Sequence, residues 1–114
     1  MSLEQRRHPR HDVRLSAEFR AKGKLETAVT RNVSVSGAAL DLPHAALADG
    51  DEVELSLFLV IEGVEDPSKP PLSVGARVVW TGENDEGGFV AGVRFERITP
   101  EQTRWLERFL EVSG

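Results

Sequence analysis

The chain has 114 residues, no cysteine and a formal net charge of −5. That length supports one hydrophobic core and not two, and the missing cysteines exclude a disulfide, a thiolate nucleophile and a cysteine-based zinc site. The charge is uneven, +4 over residues 1–31 and −9 over residues 32–114; the acidic body argues against general nucleic-acid binding, which neutralises many phosphates, while the basic leader suits a small anion, a partner surface or plain solvation.

In chain order, Val13, Leu15, Ala17 and Phe19 alternate with polar residues, and that period of two predicts a half-buried first strand. A turn at 22–24 leads to a second strand over about 25–33. Residues 34–37 break it, and 38–42 form a short third strand. The connection 43–51 holds one expected helical turn near 45–48 and an Asp49-Gly50-Asp51 turn signal. Val53, Leu55, Leu57, Leu59 and Ile61 alternate along a fourth strand, and 62–71 is a polar, proline-bearing loop. Val74, Ala76, Val78 and Trp80 share one face of a fifth strand; 83–88 is a turn; Phe89, Ala91, Val93 and Phe95 mark a sixth. Thr99, Pro100 and Gln102 then form an N-cap, first-turn proline and capping box ahead of a helix whose stripe is Trp105, Leu106, Phe109 and Leu110. Six short strands and one helix predict a six-stranded antiparallel β-barrel that the C-terminal α-helix plugs or flanks, since closure removes exposed strand edges.

The longest apolar run, 57–61, falls far short of the ~20 residues of a membrane span. Residues 1–10 lack the apolar stretch of a secretory signal, so a cytoplasmic protein without membrane insertion is expected. The inventory for catalysis is poor. His8 and His11 are separated by Pro9 and lack a third metal ligand, with His44 in a different loop. The acidic cluster Asp49, Asp51, Glu52 and Glu54 lacks the Gly-pivoted spacing of a calcium loop. Residues 22–25 lack the features of a phosphate loop, and no serine sits in a nucleophile elbow. No enzyme, metal site or cofactor is expected.

Two segments remain. Arg6, Arg7 and Arg10 bring guanidinium forks that match phosphate oxygens and the O6/N7 edge of guanine, on a leader that Pro9 stiffens. Asn32, Ser34, Ser36 and Gly37 form a polar turn whose short side chains and backbone N–H groups suit an anion or a base.

The spacing Arg6-x-x-x-Arg10 followed by Asn32-x-Ser34-x-x-Gly37 resembles the two-part signature of PilZ domains, bacterial receptors for cyclic di-guanosine monophosphate (cyclic di-GMP). Gly50, the run 76–80 and the run 92–95 are similar to later landmarks of that family. The resemblance implies a six-stranded antiparallel barrel with a C-terminal helix. It also implies a division into a ligand-gripping leader, 1–12, and a barrel with helix, 13–114.

By that resemblance Arg6 and Arg10 grip guanines and phosphates; Arg7 is extra to the signature and either pairs with a phosphate, the reading taken here, or stays in solvent. Asn32 bonds a guanine edge, Ser34 bonds a base or phosphate, and Gly37 keeps the floor open. Trp80 lies against the ligand; its position in the alternation reads equally well as core. Asn32 stands where the family often has aspartate and loses a charge-assisted bond, and Gln5 stands where an extra arginine accompanies a stacked ligand dimer. One ligand per chain is the expectation. The implied action is a receptor whose ligand orders the leader and creates a surface read by an effector protein, as monomer or homodimer. The alternative is an adaptor of the same fold that acts through protein contacts without nucleotide.

Overall fold

The structure, a computed structural model, describes residues 11–58, 60–61, 64–65 and 71–113. In chain order the strands are β1 (Ser16–Ala21), β2 (Lys24–Val33), β3 (Gly37–Leu42), β4 (Glu52–Leu57), β5 (Val60–Ile61), β6 (Val64–Glu65), β7 (Leu72–Glu83) and β8 (Phe89–Arg97). One helix, α1 (Pro100–Ser113), follows. Six of the strands close an antiparallel barrel in the order β1-β2-β3-β8-β7-β4, and β5 and β6 pair as a separate two-stranded sheet.

The alternation in the sequence becomes the inside and outside of this barrel. Phe19, Leu40, Leu55, Leu57 and Leu72 point inward and are essentially fully buried. Lys22 and Gly23 both take positive φ, 53° and 79°, so a two-residue turn joins β1 to β2 with the twist that hairpins favour. Closure comes from β4 and β1, in register Ala17↔Leu57 and Phe19↔Leu55.

The capping box forms as expected: Gln102 N donates to Thr99 Oγ1 at 3.0 Å, and Thr99 N donates to Gln102 Oε1 at 3.0 Å. Gln102 Nε2 also donates to Ser73 O at 2.7 Å, which ties the start of the helix to β7. Leu106, Phe109 and Leu110 join the apolar cluster of the strands, with Trp105 half-buried beside them, so the apolar stripe of α1 packs onto the barrel's core. Thr99→Ala is expected to cost about 1 kcal/mol, read as a lower urea midpoint at unchanged slope.

Three expectations need correction. The first strand starts at Ser16 rather than Val13, because the backbone of 11–15 bonds elsewhere. Thr30 N donates to Leu15 O at 2.9 Å, the Thr30 hydroxyl accepts from Leu15 N at 2.7 Å, and it donates to Val13 O. The fourth strand stops at Leu57 instead of running to Ile61: its partners there, Ala17 of β1 and Leu72 of β7, lie at the ends of their own ladders. Beyond it Phe58 N still reaches Ser16 O at 3.1 Å, and Val60 and Ile61 pair instead with β6, inside the expected loop. The expected helical turn near 45–48 is absent. Ala46 N bonds His44 O and Asp51 N bonds Ala48 O, short-range turns around a buried Leu47.

Candidate functional site

The polar turn sits where the chain enters the barrel. His11 and Val33 form an isolated antiparallel bridge, His11 N to Val33 O and Val33 N to His11 O, both 2.9 Å. The residue after Arg10 is therefore fixed between Asn32 and Ser34. Thr30, buried completely, holds the next residues in place through its contacts with Val13 and Leu15. The expected contacts of Arg6, Arg7 and Arg10, and the leader 1–10, lie outside the described residues.

Register defines the outer face beside this entry. Asn32 opposes Ala39 across β2 and β3, after a bulge at Arg31. Ala39 opposes Gly92 on β8, and Gly92 opposes Trp80 on β7. Directly opposed residues project to the same face, so Asn32, Ala39, Gly92 and Trp80 make one row across four strands. Ala38 and Leu40 belong to the core cluster while Ala39 does not, which sets the row on the outside. With strands about 4.8 Å apart, the row spans roughly 14 Å. Its middle carries almost no side chain and forms a low floor between an amide and an indole; that floor is itself covered, with Ala39 only 2% exposed and Gly92 buried under the Trp80 ring.

Trp80 is 43% exposed, and the core reading of it is corrected. A register shift between Val78 and Trp80 inserts Val79, which breaks the alternation that keeps Val74, Ala76 and Val78 inside. The ring lies across Gly92: a Cβ there would come within 2.0 Å of Trp80 Nε1.

Ser34 is buried, and its hydroxyl shapes the turn. It accepts from Ser36 N at 3.2 Å and lies 3.1 Å from Ser36 Oγ, while Ser34 N donates to Gly37 O at 2.8 Å. Gly37 allows β3 to approach β8: an added Cβ would stand 2.2 Å from Val93 O and 3.3 Å from Arg94 Cα. That close approach is a packing reason for glycine, independent of any ligand.

The cations near this face are partly engaged. Arg31 and Arg14 both hold Asp41, at 2.9 and 3.2 Å. Burial alone pushes the Asp41 carboxyl up, but the hydrogen bond and charge of Arg31, with hydrogen bonds from Arg14 and Asn84, outweigh it and hold the group below its ordinary 3.8. A depressed folded value means stability that is present above 3.8 and lost as pH falls through the folded value. The urea midpoint of wild type should therefore exceed that of Asp41→Asn at neutral pH, and the two should converge in strong acid. A gap that persists there would place the effect in packing rather than charge.

His44 pairs with Glu26 at 2.8 Å. Among the described residues no group of three or more His, Cys, Asp or Glu could hold a metal ion, and no helix is long and apolar enough to cross a membrane. Sequence reasoning missed Thr30, Arg31, Asp41 and the cross-strand row, whose grouping depends on register and two bulges. The run of small residues in 37–39 and at 91–92 was the available signal for a floor.

Residues 4–112 match the family model for the PilZ domain. The chain belongs to the PilZ domain family. Comparison with curated protein sequences gave no match. Among solved structures, the Bacillus subtilis inhibitor of motility MotI/DgrA superposes with a TM-score of 0.79 at 16% identity. That match covers 94% of this chain and 49% of the other, so the chain spans about half of that relative. The PilZ domain of YcgR from Escherichia coli, solved with c-di-GMP, gives 0.74 at 15% identity over 96% of this chain and 92% of that one. The PilZ domain of CeSA, from a cellulose-synthesizing bacterium, gives 0.62 at 20% identity over 90% and 95%. At these identities the likeness carries the fold, and the six-strand barrel with its C-terminal helix is that of a PilZ domain.

Proposed function

We propose that this PilZ domain is a receptor for cyclic di-GMP. The observation that supports the reading most directly is the His11–Val33 bridge. It fixes the chain one residue after Arg10 against the strand that bears Asn32. Covalent geometry then keeps the Arg6 Cα within about 18 Å of His11, a bound that allows both arginines to approach this face.

In this reading, Arg6, Arg7 and Arg10 supply guanidinium forks for phosphates and guanine edges, and Asn32 reads a base edge. Trp80 offers an aromatic face at the far end of the row, and Ser34 and Gly37 hold the turn in shape. The leader, 1–12, acts as a gripping arm on the barrel, 13–114. One ligand orders the arm and creates a surface that an effector protein in the cytoplasm reads. The domain senses and does not catalyse, and it works as a monomer or homodimer.

Calorimetric titration of the purified chain with cyclic di-GMP at moderate salt tests the reading. Saturable heat near one ligand per chain supports it. A well-folded protein that gives no heat and no rise in melting temperature would overturn it and leave the adaptor reading in its place.

A further inference from the structure

The outer face of β8 carries a guanidinium beside the proposed floor. Arg94 opposes Gly37 in the β3–β8 register, and its Cα lies where it would almost touch a Cβ on that glycine. Two residues earlier on the same face is Gly92, under the Trp80 ring. Arg94 thus borders the floor on the Gly37 side, two strands across and two residues along from Asn32, about 12 Å away.

Its present partner is weak. The Arg94 side chain is 60% exposed and pairs with Glu96 Oε2 at 3.2 Å, two residues along the same strand. Exposed ion pairs of this kind hold loosely. Arg77 sits on the other side of Glu96 and is anchored three ways, to Glu96 at 3.2 Å, to Gly50 O at 3.0 Å and to Glu52 at 3.4 Å. Glu96 keeps Arg77 if Arg94 swings away, and Arg77 keeps Gly50 and Glu52 if Glu96 is lost. The exchange leaves no charge stranded.

We propose that Arg94 is a further phosphate-binding residue of this face and that Glu96 restrains it, the ligand phosphate displacing the carboxylate from the guanidinium. This rests on the cyclic di-GMP reading and extends it to β8. A phosphate offers Arg94 a bidentate, charge-assisted pair, stronger than the single contact it surrenders. Glu96 opposes binding twice, by holding the arginine and by repelling the phosphate.

The two residues therefore predict opposite signs, which a purely structural role would not produce. Cyclic di-GMP is titrated calorimetrically into wild type, Arg94→Gln, Glu96→Gln and Arg97→Gln at one ionic strength. Arg97 lies on the same strand but holds Glu54 at 2.9 Å, and its variant controls for a general loss of positive charge. Arg94→Gln should bind about tenfold more weakly, equivalent to about 1.4 kcal/mol. Glu96→Gln should bind more tightly, and Arg97→Gln should stay near wild type. Wild-type binding with an unchanged Arg94→Gln, a weakened Glu96→Gln, or equal losses at Arg94 and Arg97 overturns the role of β8 and leaves the receptor reading standing. Absent wild-type binding takes both down together.

Discussion

Arg10→Ala, titrated with cyclic di-GMP beside wild type, is expected to lose about a hundredfold or more in affinity while its melting temperature without ligand stays unchanged. Each charge-assisted hydrogen bond contributes about 1.5–3 kcal/mol, and a guanidinium fork makes two such bonds with a phosphate or a guanine edge. Ordering the leader opposes them at about 1–2 kcal/mol per residue. The balance is narrow, so removing one fork shifts it by about 3 kcal/mol or more, roughly two decades in the dissociation constant. Arg10 precedes the bridged His11 directly, and fewer backbone torsions need ordering to place it than to place Arg6.

Arg6→Ala should fall by a similar factor, and Arg7→Ala by less. The double variant should lose less than the two single losses combined, because the arm no longer orders once either grip fails. Thermal unfolding without ligand separates a binding effect from a folding one. For wild type, a ligand concentration of 100 times the dissociation constant should add about 2.7 kcal/mol of stability. Unchanged affinity in both single variants would remove the leader from the site.

The barrel was legible because the apolar residues of its strands recur with a period of two, which burial follows most cleanly along β1 and β4. The turn residues 22–23 and the capping box 99–102 also act through local chemistry, and both appear where they were expected. What the sequence hid depends on register. Trp80 falls in phase with Val78 on paper, and the extra residue Val79 rotates it outward. Alternation at Val13 and Leu15 reads as strand, yet their backbone groups are met by Thr30 and not by a ladder. Val60 and Ile61 continue the pattern of β4 after its neighbours have ended. The motif 32–37 was visible as a motif, but its neighbours Gly92, Arg94 and Trp80 come to it across β3 and β8 from as far as position 94 of the chain. No local pattern states which residues of β8 face which residues of β3.

Gly37→Ala should be the most damaging methyl that can be added to this domain's signature. Its Cβ would meet the Val93 carbonyl oxygen at 2.2 Å, well inside van der Waals contact, and the obstacle is backbone rather than the end of a flexible side chain. Either β3 or β8 must move. Three links depend on that approach: the Gly37↔Arg94 register, the bond from Ser34 N to Gly37 O, and the bond from Phe95 N to Ser36 O at 2.9 Å. Overpacking of this kind costs about 1–3 kcal/mol, and strained backbone raises the figure further. Against a total of roughly 5–15 kcal/mol for a domain, the urea midpoint should drop clearly. Gly82→Ala is the matched control, since a Cβ there meets nothing within 4 Å and φ is not in the left-handed region. It should be neutral or gain about 0.4–1 kcal/mol through the lower entropy of the unfolded chain. Opposite signs at two strand glycines of one barrel would locate the requirement at the β3–β8 seam. Equal stability of the two variants would mean that the seam tolerates the methyl, and that glycine at position 37 serves the ligand instead.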